Sequence, residues 1–385
     1  MLKGQNTTRT KQLNQSLVLK LLLQNGPMSR QQISEITDLT PATITYISAE
    51  LIEQGLVMEK GDLQNTKPRA GRKSVALDLN GDSYWVLGIN TSMEKLKMGL
   101  VNLKGMITDV QSIPVPSKFN TEEFLSFLAK QIKMYLQAHP EVKVSGVGIG
   151  ALGAVDLEKG KLLGNDRLGW PDVDLISYLQ KEITVPIFLD NNVSAMTLAE
   201  KMFGNSKQFT DFMCIYLGHR IGAGLVLKNE LYRNGRTGAG EFGHMTYMPE
   251  GRTCWCGNKG CLNQYASEEA ILNELQATNV DEVLQRAVDG EVQTINTLEK
   301  AAECISIVLS SFINMVNLKK VVLCGTLSSF LLPVADIIRK EVNQRPYLAR
   351  IDHIEIESSK LGDNIEVIGA GGLALWYGLY QKSQC

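Results

Sequence analysis

The sequence predicts an α/β protein in which a small helical head that ends in a β-hairpin precedes a larger, two-lobed body. Three amphipathic segments with their own caps and turns lie within residues 10–60. From Tyr84 the residue pattern changes to one that predicts apolar, glycine-rich strands alternating with helices. A loop rich in cysteine and histidine follows at residues 244–267. We predict a head over residues 1–80 and lobes over 81–196 and 197–385, with the last helix returning to the first lobe.

The composition is that of a globular protein. Of the 385 residues, 44% are hydrophobic and 21% are charged, and no stretch approaches the ~20 apolar residues that cross a bilayer. The N-terminus is polar, and the seven cysteines are odd in number and mostly scattered, which predicts a reducing, cytoplasmic location without membrane contact. Residues 1–80 carry a net charge of +3 and the remainder −5, a weak indication of nucleic-acid binding that solvated charge would also produce.

The first helix of the head is predicted by aliphatic residues at i, i+4 spacing. They indicate one buried helix face that ends at an Asn-Gly-Pro turn, residues 25–27, and they are Leu17, Val18, Leu21 and Leu22. A short second helix follows Ser29, a typical N-cap, and Gln32 completes a capping box three residues later.

A third helix begins with Thr40 as N-cap and Pro41 at the first helical position, where its missing N–H costs nothing. Its inner face is aliphatic, with Ile44, Ile47, Leu51 and Ile52. Its outer face carries Thr43, Thr45, Tyr46 and Ser48. This arrangement resembles a helix-turn-helix domain, in which such a helix enters the major groove. Thr43, Thr45 and Tyr46 are therefore predicted to contact DNA bases.

Residues 56–80 alternate, turn and alternate again, as the β-wing of a winged helix-turn-helix domain does. The tip of this hairpin is basic and contains Lys67, Arg69, Arg72 and Lys73. We predict that Arg69 and Arg72 contact phosphates or the minor groove of double-stranded operator DNA. The alternative is a solvated basic linker. Two such heads reading half-sites need two-fold symmetry, so we expect a homodimer or higher homo-oligomer.

The cysteine-rich loop has the spacing H-x9-C-x-C-x4-C, formed by His244, Cys254, Cys256 and Cys261. One imidazole and three thiolates are a ligand set for a closed, tetrahedral Zn²⁺ site. A catalytic zinc usually keeps one position open, so four protein ligands predict a structural zinc. The alternative is a group of reduced thiols in a glycine-rich loop.

These residues also resemble a known family. The run Gly240-Glu241-Phe242-Gly243-His244, followed by "CWCGNKGC" at 254–261, is similar to the signature of the ROK family of sugar-responsive repressors and sugar kinases. The similarity extends to "GALGAVDLEKG" at 150–160, "LDNNVSAMTLAE" at 189–200 and the head, which looks most like that of xylose-repressor-type members. The resemblance implies an actin-like, ribonuclease H-like body with two lobes and a sugar in the cleft between them.

The resemblance also implies a set of sugar-binding residues. Asn191, Asn192, Glu241 and His244 match the family motifs. Asn263 stands where members often have Glu, and Asn165 is a further candidate. For each, the alternative is a hydrogen bond satisfied within its own loop. The expected inducer is a monosaccharide or a sugar phosphate.

Three departures from the kinase pattern predict a sensor that is not an enzyme. Asn90 replaces the expected Asp of a phosphate-binding turn, and Ser92 and Met93 replace its glycines. A second glycine-rich turn contains His219 and Arg220. The position of the catalytic base is occupied by Asn192, an amide that cannot accept a proton. The alternatives are an active ATP-dependent sugar kinase with a DNA-binding head, or a repressor controlled by a partner protein.

Overall fold

The computed structural model describes residues 7–62, 75–92, 94–116, 119–164, 170–233, 240–327, 332–345, 347 and 352–381. Three of the predicted site residues, Arg69, Arg72 and Asn165, lie outside these ranges, as do Lys67, Lys73 and Met93.

The head is a three-helix unit with a small sheet. Its helices are α1 (Thr7–Asn25), α2 (Arg30–Thr37) and α3 (Pro41–Glu53). Its strands are β1 (Met28–Ser29), β2 (Val57–Asp62) and β3 (Val75–Leu79), in the spatial order β1-β3-β2. The side chain of Ser29 accepts from the backbone N–H of Gln32 in the predicted capping box, and Thr40 caps α3. The predicted helices and wing strands are therefore confirmed.

Two details of the head differ from the sequence prediction. Leu17 is 38% exposed, and Leu19 is buried together with Val18 and Leu22. The reason is that α1 also packs against the body, so that its buried face is rotated relative to the face predicted from the head alone. Ser48, predicted on the outer face of α3, is fully buried because α2 packs against α3 there, and its hydroxyl accepts from Arg30 Nε at 2.9 Å.

The first lobe is built on a five-stranded sheet in the order β10-β7-β4-β5-β6. Its strands are β4 (Trp85–Thr91), β5 (Lys95–Asn102), β6 (Ile107–Pro114), β7 (Val144–Ala151) and β10 (Ile187–Asn191). β4, β5 and β6 are antiparallel neighbours, whereas β7 runs parallel to both β4 and β10. The short strands β8 (Val155–Asp156) and β9 (Lys161–Leu162) form a hairpin. Helices α4 (Thr121–Ala138) and α5 (Leu175–Leu179) cover one face.

Helix α12 (Ile365–Leu375) from the end of the chain covers the other face of this sheet and continues into a π-helical turn, Trp376–Tyr380. The approach is close enough to require glycine. A Cβ on Gly88 would lie 2.2 Å from the carbonyl oxygen of Val367, and one on Gly148 would lie 1.8 Å from that of Ala370.

The second lobe has a five-stranded sheet in the order β13-β12-β11-β14-β15. Its strands are β11 (Phe212–Leu217), β12 (Ile221–Leu227), β13 (Glu230–Leu231), β14 (Lys320–Cys324) and β15 (Glu355–Ser358). Its helices are α7 (Asn263–Ala266), α8 (Glu268–Leu275), α9 (Val280–Val288), α10 (Val292–Val316) and α11 (Leu332–Gln344). Helix α6 (Asn192–Met202) joins the lobes, and residues 193–202 are all buried between the two sheets.

The head packs directly on the body. Buried residues of α1 and α3 form one hydrophobic cluster with the first sheet and the C-terminal helix. Ser16 Oγ donates to the carbonyl of Leu379 at 3.4 Å, and Lys20 Nζ lies 4.5 Å from the ring centre of Trp376. Across the described ranges, no helix is long and apolar enough to cross a membrane.

Candidate functional site

The predicted zinc ligands lie together. His244 ends a 3-10 turn over Phe242–His244, and the cysteines follow on the next loop. All four candidate ligand atoms lie within 4.8 Å of one another. Cys254 Sγ is 3.6 Å from His244 Nδ1, and Cys256 Sγ is 3.7 Å from Cys261 Sγ. A tetrahedral zinc with Zn–S bonds of ~2.3 Å has sulfur–sulfur edges of about 3.8 Å, so the spacing and the chemistry of the donors fit Zn²⁺.

The loop around this cluster is organised to present the sulfurs. Gln264 Nε2 donates to Cys254 Sγ and Asn258 Nδ2 to Cys261 Sγ, both at 3.6 Å. Such donors stabilise thiolates over thiols. Gly260, with φ of 75°, permits the tight return of the loop, since a Cβ there would lie 1.7 Å from the carbonyl oxygen of Met248.

On the first-lobe side of the cleft, the two predicted sugar residues lie at the start of α6. Asn191 is the N-cap: its Oδ1 accepts from Val193 N at 2.9 Å, and its Nδ2 donates to the carbonyl of Gly153 at 2.8 Å. Asn192 also accepts from Val193 N, at 2.9 Å. Both side chains are half-buried and already take part in hydrogen bonds that order the α6 N-terminus.

Asn90 lies beside them at the end of β4 and is only 4% exposed. Its Oδ1 has no hydrogen-bond partner among the described residues. Both this oxygen and the Cα of Asn192 come within 3.4 Å of the position that a Cβ on Gly150 would take. A buried acceptor without a donor is costly, and this oxygen is closed to solvent by the packing of β4, β7 and α6 around it.

On the second-lobe side, Glu241 is exposed and His244 is half-buried. Asn263 differs, because it is 2% exposed and its Oδ1 accepts from the backbone N–H of Ile221 at 2.8 Å. Its amide therefore links α7 to the start of β12. Gly222 and Gly224 on that strand pack on Val193 and Thr197 of α6. β12 therefore lies against the helix whose N-terminus carries Asn191 and Asn192.

A cluster that sequence reasoning missed joins the cleft to the C-terminal helix. Arg233 pairs with the carboxylate of Asp190, donates to the hydroxyl of Tyr377 and has its guanidinium 5.1 Å from the Tyr377 ring centre. Burial raises the pKa of Asp190, and the charge of Arg233 opposes that rise. Asp190 directly precedes the Asn191-Asn192 pair, and Tyr377 directly follows Trp376, on which α1 packs. No motif marks Arg233 in the sequence.

The predicted base-reading residues lie on the solvent face of α3. Thr45 is exposed, Tyr46 is 57% exposed and Thr43 is partly exposed. Tyr46 Oη accepts from Lys11 Nζ at 3.3 Å, and the same amine pairs with Glu50. These contacts connect the phenol ring to α1. Base contact by these residues stays a prediction.

The ROK family profile matches residues 86–376, which is well over half of the chain. The chain belongs to the ROK family. A profile described as winged helix-turn-helix DNA-binding matches residues 13–58, so the ROK chain carries a DNA-binding head of that type.

Two of the similar proteins align with nearly the whole chain. The xylose repressor of Caldicellulosiruptor bescii is 32% identical over 94% of this chain and 96% of its own. A crystal structure of a ROK family transcriptional regulator, a homologue of the Escherichia coli Mlc protein, is 24% identical, covers 97% of this chain and 99% of its own, and has a TM-score of 0.82. A ROK family glucokinase from Streptomyces griseus, solved with glucose and AMPPNP, is 23% identical over 75% of this chain and 98% of its own, with a TM-score of 0.68. The body thus has the fold of both regulators and kinases.

Proposed function

We propose that this protein is a transcriptional repressor that binds operator DNA through its head and is released when a sugar occupies the cleft between its lobes. Relatives named repressors over nearly the whole chain support the DNA-binding part. The observation that carries the sugar part is the pair of half-buried amides, Asn191 and Asn192, at the start of α6. Amide groups both donate to and accept from hydroxyl groups, as a sugar-binding site requires.

The same floor of the cleft argues against sugar phosphorylation. Asn192 has no proton-accepting group where a general base is required. The adjacent carboxylate, Asp190, is engaged by Arg233 and by the backbone N–H of Asn191 at 2.7 Å. Both carboxylate oxygens of Asp190 are occupied by these contacts, so neither is free to take the proton of a sugar hydroxyl. We infer that a bound sugar stays unreacted.

The loop that carries the predicted zinc ligands, residues 244–261 (the zinc loop), would hold the second-lobe half of the site. His244 Nδ1 faces Cys254 Sγ, and the ring's other nitrogen, Nε2, is left for the cleft. A structural Zn²⁺ held by His244, Cys254, Cys256 and Cys261 would fix that ring, and Glu241 three residues before it. We therefore retain Asn191, Asn192, Glu241, His244 and Asn263 as the proposed sugar-binding residues, together with Asn165.

The DNA interface would consist of the outer face of α3 and the wing. Thr43, Thr45 and Tyr46 would read bases in the major groove, and Arg69 and Arg72 would contact phosphates or the minor groove. A homodimer would place two such heads on two half-sites.

Coupling between the cleft and the head would use the contacts that connect them. Asp190 and Arg233 link the sugar-binding end of α6 to Tyr377. The ring centre of the neighbouring Trp376 lies 4.5 Å from Lys20 Nζ of α1. A sugar that moves one lobe relative to the other would shift this chain of contacts and reorient the heads of the dimer. It would act only through its different affinities for the two arrangements.

The test is a titration of the protein with candidate sugars, with and without operator DNA. By linkage, operator DNA must weaken sugar binding by the same factor by which sugar weakens operator binding. Equal sugar affinities in both titrations would contradict direct induction and favour control by a partner protein. ATP-dependent conversion of the sugar would identify a kinase instead.

A further inference from the structure

A pocket that includes Asn263, one of the proposed sugar-binding residues, lies on the outer side of the zinc loop. It has a volume of about 420 Å³ and is open to solvent on one side. Its walls come from the zinc loop, the turn before β12 and helix α8, and they include Arg220, Arg252, Trp255, Asn263, Gln264 and Glu269. This volume is within the range of small-molecule sites, roughly 300–1,000 Å³.

The pocket shares a wall with the cleft. Asn263 lines the pocket, while its amide nitrogen lies beside Gly243, the residue before His244. Trp255 stands between two zinc ligands, and its ring meets that of His244 edge-on with centres 5.1 Å apart. The pocket is therefore next to His244 and Asn263, two of the proposed sugar-binding residues.

The charges of the pocket favour a neutral ligand. Arg220 pairs with Glu269 at 2.8 Å, and Arg252 pairs with Glu274 at 2.8 Å. Each guanidinium thus faces a carboxylate, so the lining presents two positive and two negative groups and no surplus for a phosphate. Hydroxyl groups, which both donate and accept, match alternating guanidinium, carboxylate and amide groups well.

The aromatic wall favours a ring. Trp255 is 51% exposed, although it sits in a loop whose neighbours Cys254 and Cys261 are buried. Arg220 lies 5.8 Å from its ring centre and, with His244, holds the indole in place. An exposed but oriented indole beside planar polar groups offers one apolar face and a rim of hydrogen-bonding partners. That combination suits the faces and edges of a pyranose.

We propose that this pocket, defined by Arg220, Arg252, Trp255, Asn263, Gln264 and Glu269, binds the second ring of a neutral glycoside whose first ring lies in the cleft. The effector class is then a disaccharide or longer glycoside, and Trp255 is the residue that selects it over a monosaccharide. The inference rests on the proposed function, since it needs a sugar in the cleft.

Calorimetric titration of the full-length protein with paired probes tests it: xylose and xylobiose, glucose and cellobiose, and N-acetylglucosamine and chitobiose. In one pair the disaccharide should bind about tenfold more tightly than its monosaccharide, near the upper end of what one aromatic contact supplies. Trp255→Ala should remove that advantage, lowering the affinity for the disaccharide more than that for the monosaccharide, while the zinc content is kept. Trp255→Phe should restore part of it.

Tyr347→Ala, at another exposed aromatic residue of the second lobe, is the matched control and should change neither affinity. A disaccharide that binds no tighter than its monosaccharide overturns the inference while the proposed function stands. Equal loss of both affinities in Trp255→Ala overturns it as well, because Trp255 would then act on the first ring or on the loop. If no sugar of the panel binds, the sugar-sensing function and this inference fail together.

Discussion

The contact between Lys20 and Trp376 is the place where a signal from the cleft would reach the DNA-binding head. Lys20 is on α1, and its amine lies 4.5 Å from the ring centre of Trp376, next to Tyr377 and its partner Arg233. Burial lowers the pKa of Lys20, and Glu230 on β13 opposes this. Lys20→Met keeps the length and apolar stem of the side chain but removes the charge. We expect it to weaken release by sugar while operator affinity without sugar stays close to that of the wild type.

The size of the effect follows from the contact. A cation over an aromatic ring is worth about 0.5–1 kcal/mol when exposed and about 2 kcal/mol when desolvated. Lys20 is half-buried, so about 1 kcal/mol is appropriate. Removing a contact removes no more coupling than that contact contributes in one of the two arrangements. The ratio of operator affinities without and with sugar should therefore fall about fivefold.

The assay is operator binding by fluorescence anisotropy at fixed salt, with and without a saturating sugar. Lys181→Met is the matched control, because Lys181 lies 5.8 Å from the ring centre of Tyr178 within the first lobe and makes no bridge to the head. It loses the same kind of contact and should keep the full ratio. An unchanged ratio in Lys20→Met, or an equal fall in both variants, would refute the reasoning that the signal passes through α1.

Four further outcomes are expected. Cys256→Ser should lose the predicted zinc and have a lower melting temperature. The control Cys304→Ala, on α10, should keep the metal. Wild-type protein that contains no zinc after purification without chelators would contradict the site. Arg72→Ala should reduce the log–log salt slope of operator binding by about 0.9, and an unchanged slope would make the wing tip a linker. Asn192→Asp should release no ADP from ATP and sugar, because the phosphate-binding turn is also altered; turnover by the variant would show that the base alone was missing. Burial raises the pKa of Glu200 above its ordinary 4.5, so above pH 4.5 the folded state keeps a proton that the unfolded chain has lost. The free energy of unfolding of the wild type should therefore fall relative to that of Glu200→Gln as the pH rises above 4.5. A difference between the two proteins that stays constant with pH in urea denaturation would contradict this.

The head could be predicted closely because its signals are local. Ser29 with Gln32, and Thr40 with Pro41, specify where α2 and α3 begin through contacts within a few residues. The exposure of Leu17 and the burial of Ser48 could not be predicted this way. Both depend on surfaces supplied by residues distant in sequence: the C-terminal turn covers α1, and Arg30 covers Ser48.

The candidate site divides along the same line. The zinc ligands are close in sequence, and their spacing alone indicated the cluster that the fold assembles. Asp190, Arg233 and Tyr377 come from three distant segments, so no spacing connects them. That the buried Oδ1 of Asn90 has no hydrogen-bond partner among the described residues could likewise not be predicted. The sequence marked Asn90 as a lost phosphate contact, and only the packing of β4 against β7 places it beside Asn192.

The replacements at the cleft floor are physically consistent with one another. Asn90 and Asn192 substitute amides where the kinase pattern has a carboxylate, which removes the negative charges that hold a metal–nucleotide and accept a proton. The remaining carboxylate, Asp190, is neutralised by Arg233. Under the proposed function, amides beside a bound sugar would form hydrogen bonds with its hydroxyl groups but would supply no general base for phosphoryl transfer. A sugar that is not phosphorylated would leave only by dissociation, so its occupancy would follow its concentration, as the proposed control of DNA binding requires.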